Sequence, residues 1–186
     1  KKIGAEQGVS IKLYNDLPLA SGLGSSAASA AGAVWGLNRL LGEPFALHEL
    51  VPFAIRGEAL ASGAPHADNV APALYGGITL IRGYDPLDIA RVHCPPLLYA
   101  VVLHPQIELK TSDSRSILKR TITLEQGIRQ WGNVGGLITG LFTEDYGLIS
   151  RSLHDGVIEP LRSLLIPGFL GKPAVTITIS EPVMSL

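Results

Sequence analysis

Pro18-Leu19-Ala20-Ser21-Gly22-Leu23-Gly24-Ser25-Ser26-Ala27-Ala28-Ser29-Ala30-Ala31-Gly32-Ala33 joins an alternating apolar segment to an alanine-rich one. Upstream, Val9-Ser10-Ile11-Lys12-Leu13 predicts a half-buried strand; downstream, the alanines favour a helix. The glycines therefore stand between a strand and a helix start. Gly22 and Gly24 permit backbone angles and close approaches that a side chain blocks, and Ser25 or Ser26 is a good N-cap. A helix tip with unbonded amides, partial positive charge and two hydroxyls suits a phosphate group. The alternative reading of the same residues is a tight turn leading into a small-residue helix packed closely on a sheet. The string is not the Walker pattern, because no Gly-Lys-Ser/Thr closes it, nor is it the dinucleotide fingerprint. Two serines directly after Gly-Leu-Gly favour phosphate, since a hydroxyl there also reaches a phosphate-bound magnesium ion.

Working outward, Ser25 to Leu41 predicts the first helix, stopped by Gly42 and Pro44, with Val34, Leu37, Leu40 and Leu41 on its core face and Trp35 as a packing residue. A second helical pattern covers Leu47 to Ser62, with Pro52 near its start and Gly63 at its end. Ala64 to Asn69 reads as a loop, Asn69 to Leu74 as a short helix, Gly76-Gly77 as a turn and Gly77 to Ile81 as a strand. Asp85-Pro86 and Cys94-Pro95-Pro96 bracket a domain boundary, giving domains 1–95 and 96–186. Beyond it, Leu97 to Leu103 predicts a buried strand, Thr111 or Ser112 caps a helix toward Lys119, and helices follow over Thr123 to Phe142, Glu144 to Leu153 and Pro160 to Leu165. Ala174 to Ile179 alternates as a last strand.

The 186 residues are enough for one or two small domains. With 15 Lys and Arg against 16 Asp and Glu the formal net charge is -1, which gives no surface for nucleic acid and no polybasic anchor for a membrane. The apolar runs are broken well before the roughly 20 residues a membrane-crossing helix needs, so a soluble, cytoplasmic protein is expected. Cys94, the single cysteine, cannot form an internal disulfide and is read as a small buried apolar residue; no Cys/His cluster suggests a structural metal. The chain opens on Lys1-Lys2 and enters the first predicted strand almost at once, as part of something longer would.

Where such a cradle serves phosphoryl transfer, which is mostly positioning and charge neutralisation, it works with a magnesium ligand and with residues that orient the accepting hydroxyl. Glu58 in the second helix could complete a magnesium site with a motif serine; the simpler account makes Arg56-Gly57-Glu58 a solvated helix edge. His66-Ala67-Asp68-Asn69-Val70-Ala71-Pro72 could present polar groups to a substrate, or the Asp-Asn pair could cap the next helix while the histidine bonds a carbonyl. Arg115 and Arg162 are surface charges on the plainest reading, yet arginine also grips a carboxylate bidentately.

Pro18 to Ala28 closely resembles the P-x-x-x-G-L-G-S-S-A phosphate-binding motif of the GHMP kinases. Within them, His66 to Gly77, with its His-x-Asp-Asn-Val-Ala-Pro and Gly-Gly, is similar to the homoserine kinases. So are Lys110-Thr111-Ser112-Asp113-Ser114-Arg115 and Asp155-Gly156-Val157-Ile158-Glu159-Pro160-Leu161-Arg162, the latter followed by Ile166-Pro167-Gly168-Phe169. The likeness covers Ile11 to Phe169. It implies an α+β, two-domain GHMP kinase fold, a ribosomal protein S5 domain 2-like N-terminal domain and a ferredoxin-like C-terminal domain, incomplete at both ends. The family's first motif is absent, and Thr178 to Leu186 keeps the ends of its third without the glycines.

The resemblance implies transfer of the ATP γ-phosphate to L-homoserine in threonine biosynthesis, with ATP and Mg²⁺ as cofactors. ATP is then held by Leu19, Ala20, Ser21, Gly22, Leu23, Gly24, Ser25, Ser26, Ala27, Ala28 and Ser29, and Mg²⁺ by Ser26 and Glu58. Asn69 and His66 are the implied catalytic contacts. Thr111, Arg115 and Arg162 join them in binding homoserine, with Arg115 on the carboxylate. No general base is implied, and Asp68 is read as structural. No nucleic-acid or membrane partner is expected, and a homodimer is left open. The alternatives are a GHMP kinase for another small alcohol and a non-catalytic nucleotide-binding module.

Overall fold

The computed structural model describes residues 8–17, 23–102, 117–119 and 121–166. Within them the chain mixes helix and sheet and groups into two units divided between Ile89 and Ala90, a point lying between the two proline landmarks of the sequence. Leu19 to Gly22, Thr111 and Arg115, the expected Ala174 to Ile179 strand and the terminal motif lie outside the described residues.

In the first unit, α1 (Ser25–Leu40) and α2 (Leu47–Ser62) pack along one another, and α3 (Val70–Tyr75) crosses both. The seam is built of small residues. Ala27 of α1 is buried against the α2 stripe Val51, Ala54 and Ile55, whose spacing of three and four residues puts them on one face, and Ala31 and Leu50 are buried as well. Gly57 tightens the fit: a Cβ there would stand 3.2 Å from that of Ala30. Val70 of α3 closes the cluster with Ala67, each fully buried. Burying a Val- or Leu-sized side chain contributes about 1.5–3 kcal/mol, so this seam is a main source of the unit's stability. Pro52 lies inside α2, where it withholds the amide that would bond the His48 carbonyl one turn back.

The core face of α1 differs from expectation. Ala27, Ala31 and Asn38 are its buried residues, Val34 is half-buried, and Leu40 is 69 % exposed. The alanines win because only they let α2 approach closely. Asn38 is buried for a separate reason: its Nδ2 donates to the Phe45 carbonyl at 3.0 Å and its Oδ1 accepts from the Phe45 amide at 3.2 Å, so it fastens the turn between the helices. Trp35 is half-exposed, with the Arg39 guanidinium 5.3 Å from its ring.

The sheet is a two-stranded hairpin, β1 (Ile78–Tyr84) and β2 (Leu87–Val92), turning at Asp85-Pro86. Ile81, Leu87 and Ile89 point to the first core while Arg82 pairs outward with Asp88 at 2.9 Å. The sequence reading saw a boundary where β2 lies. Conversely, two expected strands do not form. Val9 to Leu13 has no regular structure, with Val9, Ile11 and Leu13 about half-exposed, and the described part of Leu97 to Leu103 is a turn followed by irregular chain with Val101 exposed. Alternation or apolar runs make a strand only where another strand offers its amides and carbonyls, and among the described residues none does so here.

In the second unit, α4 (Leu124–Thr143) starts on a capping box in which the Thr123 hydroxyl accepts from the Gln126 amide and the Gln126 side chain returns to the Thr123 amide. Glu144 in a left-handed conformation ends it, and α5 (Tyr146–Ser152), capped by Asp145, folds back along it. Leu141 and Ile149 are buried between them. α6 (Glu159–Arg162) and a short 3₁₀ turn (Ser163–Leu165) follow. His93 Nε2 lies 2.9 Å from Glu144 Oε1, and Cys94, expected to be buried, is exposed. Among the described residues no helix is long and apolar enough to cross a membrane.

Candidate functional site

The glycine-serine motif meets the second helix and the His66 loop at one place, the N-terminus of α1. Gly24, not a serine, is the N-cap: it takes a left-handed conformation (φ 76°, ψ 33°) and no side chain caps the helix. A left-handed residue is what lets the chain turn into the helix here, and glycine adopts it without strain. The serine hydroxyls, expected to cap, are committed elsewhere. Ser25 Oγ donates to the Leu17 carbonyl at 3.2 Å, and Ser26 Oγ donates to Glu58 Oε1 at 3.0 Å.

Glu58 extends the α2 stripe of Val51, Ala54 and Ile55 by one more turn, onto the face that α1 covers. It is 6 % exposed, which rules out the solvated helix edge that a lone glutamate suggested. Carboxylates are seldom buried without a partner, and the Ser26 hydroxyl is one. The seam of alanines and Gly57 is what brings this pair within bonding distance. The two oxygens, one hydroxyl and one carboxylate, are hard donors about as far apart as neighbouring ligands of an octahedral ion bound at about 2.1 Å. They fit Mg²⁺. Among the described residues no cluster of three or more His, Cys, Asp or Glu could hold a metal.

Asn69 reaches the same helix tip. It occupies the N-cap position of α3, yet its side chain makes no capping bond. A Cβ on Gly24 would stand 3.1 Å from Asn69 Cβ and Cγ and 3.2 Å from Oδ1. Gly24 thus serves twice: for its backbone angle, and for the space that Asn69 fills. His66 is half-buried at the head of the loop, Ala67 is fully buried, and the Ala67 amide donates to the Tyr84 hydroxyl at 3.3 Å, so the hairpin props the loop. Tyr84 was not singled out from sequence; its alternation on β1 is the signal that could have drawn notice. Asp68 is exposed, and Arg162 is exposed at the end of α6.

An apolar groove of about 550 Å³ runs between α1 and α3, lined by Ala28, Ala31, Gly32, Trp35, Ala73 and Leu74. No charged side chain lines it.

Residues 1–77 match the model of the GHMP kinases N terminal domain. Over 160 residues the chain is 55 % identical to a protein of Chloroherpeton thalassium named homoserine kinase, covering 86 % of this chain and 50 % of that protein. It is 52 % identical over 169 residues to a homoserine kinase of Chlorobium phaeobacteroides, covering 91 % and 53 %. The crystal structure of a homoserine kinase from Cytophaga hutchinsonii superposes with a TM-score of 0.80 at 54 % identity, over 83 % of this chain and 49 % of that one. The chain thus spans about half the length of the relatives it matches.

Proposed function

We propose that the protein is a homoserine kinase of the GHMP family, whose N-terminal domain model residues 1–77 match, passing the γ-phosphoryl group of ATP to the hydroxyl of L-homoserine. The observation that carries this reading is the meeting of Ser26, Glu58 and Asn69 at the tip of α1, next to the Gly24 backbone. A helix N-terminus favours anionic phosphate through its amides and dipole, and here a buried carboxylate and a hydroxyl lie beside it.

In this reading Gly22 to Ser26 cradle the ATP phosphates, and Ser26 and Glu58 hold Mg²⁺. Bound there, Mg²⁺ would supply neutralisation of charge on the phosphate oxygens; the bond to the leaving ADP breaks as the bond to the homoserine oxygen forms. Asn69 and His66 orient the attacking hydroxyl, and Thr111, Arg115 and Arg162 bind homoserine, with Arg115 on its carboxylate. No residue is assigned as general base; the hydroxyl proton leaves with the transferring group or to water. Orientation and charge stabilisation then carry the rate, as phosphoryl transfer allows. The domain organisation proposed with it is a ribosomal protein S5 domain 2-like part over 1–95 and a ferredoxin-like part over 96–186, in a cytoplasmic enzyme of threonine biosynthesis.

The test is turnover of the full-length protein with MgATP and a panel of alcohols, the product identified by mass spectrometry. Phosphorylation of homoserine with none of mevalonate or galactose is expected. Turnover of another alcohol instead would make it a sister kinase, and ADP binding with no turnover would make it a nucleotide-binding module. Within the site, Arg115→Ala should raise the homoserine KM far more than the ATP KM; the reverse order would move Arg115 to the nucleotide.

A further inference from the structure

We propose that Asn15 is a positioning residue that clamps the two ends of the phosphate loop; the proposal rests on the reading of that loop given above. Asn15 lies in exposed chain without regular structure. Its Nδ2 donates to the Ser25 carbonyl and to Ser29 Oγ, each at 2.8 Å, with Ser25 Oγ a third neighbour at 3.1 Å. Its Oδ1 accepts from the Leu17 amide at 2.9 Å. Ser25 Oγ donates in turn to the Leu17 carbonyl at 3.2 Å, and Ser29 Oγ to the Ser25 carbonyl at 3.1 Å.

Leu17 is therefore held by both its amide and its carbonyl, and Ser25 by both its carbonyl and its hydroxyl. These two residues enter and leave the glycine loop. One side chain reaches both because a carboxamide donates on one side and accepts on the other, which neither a carboxylate nor a hydroxyl of that reach can copy. The clamp also divides the serines. Ser25 and Ser29 turn their hydroxyls to the base of the loop, while Ser26 turns its hydroxyl to Glu58. A loop tied at its base before nucleotide arrives loses less freedom on binding, so the effect of the clamp falls on ATP rather than on homoserine.

The experiment compares Asn15→Ala and Asn15→Asp with the unsubstituted full-length protein. Aspartate keeps the acceptor for the Leu17 amide but sets a carboxylate against the Ser25 carbonyl. Amide hydrogen exchange over residues 17–28 is expected to rise about fivefold in both variants, and the ATP KM by a similar factor, as for the loss of one or two hydrogen bonds. Exchange in α2 and the homoserine KM should stay within about twofold. Unchanged exchange over 17–28, a rise spread evenly over α1 to α3, or equal rises in both KM values would overturn the clamp. Should the unsubstituted protein phosphorylate no homoserine, the functional reading falls while the clamp is still decided, by exchange and by calorimetric titration with MgADP against the same limits.

Discussion

Two helix seams in this chain are closed by glycine, and they are closed to different ends. Between α4 and α5, Gly140 lies under Ile149, where an added Cβ would be 2.9 Å from Cγ1 and 3.0 Å from the backbone nitrogen, and Gly136 faces Ser152. That seam is filled by Leu141 and Ile149 and brings no charged pair together. Between α1 and α2, Gly57 lies over Ala30 with slightly more room, and the seam ends where the exposed Ser26 bonds the buried Glu58. Close approach of helices is thus a stability device in one unit. In the other, the same device sets an acidic oxygen beside a helix tip at a defined distance.

Substitutions can break that contrast or sharpen it. The largest effect is expected of Glu58→Gln, which keeps an acceptor for the Ser26 hydroxyl and removes the charge. Turnover with MgATP should fall about 10²–10³-fold with the melting temperature nearly unchanged, and an equal loss of stability would return Glu58 to a structural role. Next is Gly140→Ala, where backbone leaves the methyl little room; overpacking should outweigh the gain in helix propensity and cost about 1–2 kcal/mol in urea denaturation, without altering the magnesium dependence. Gly57→Ala should do the reverse. A helix-propensity gain of up to about 1 kcal/mol offsets the squeeze on one alanine methyl, so stability holds, while turnover at limiting Mg²⁺ drops a few-fold as Glu58 is pushed from Ser26. Gly136→Ala meets only the Ser152 hydroxyl, which can rotate, and its cost should be about 0.5 kcal/mol. If Gly57→Ala and Gly140→Ala lose stability equally and leave magnesium dependence untouched, the two seams are alike and the contrast is wrong.

The helices were legible in the sequence because their signals are local: Thr123 with Gln126, Gly63, and the stripe from Val51 to Ile55. The strands were not. Val9 to Leu13 carries the right alternation and still lies unpaired among the described residues, and β2 was overlooked because Asp85-Pro86 signals a break as strongly as it signals a hairpin turn. At the site, the glycine-serine motif and the His66 loop were legible as strings, but their meeting was not, since the contact of Gly24 with Asn69 spans 45 positions that no local pattern encodes. Glu58 is the middle case. Its place at the end of the apolar stripe was written in the spacing, and reading it as a lone charge hid its burial. Asn15 escaped because its partners are a backbone amide, a carbonyl and hydroxyls, none of which leaves a mark on residue type.

The exposed thiol of Cys94, the only cysteine in the chain, has a practical use. A maleimide dye attaches there without any engineering, one residue from the imidazole that bonds Glu144 at the end of α4. Its emission would then report on that link, giving a spectroscopic view of the second unit.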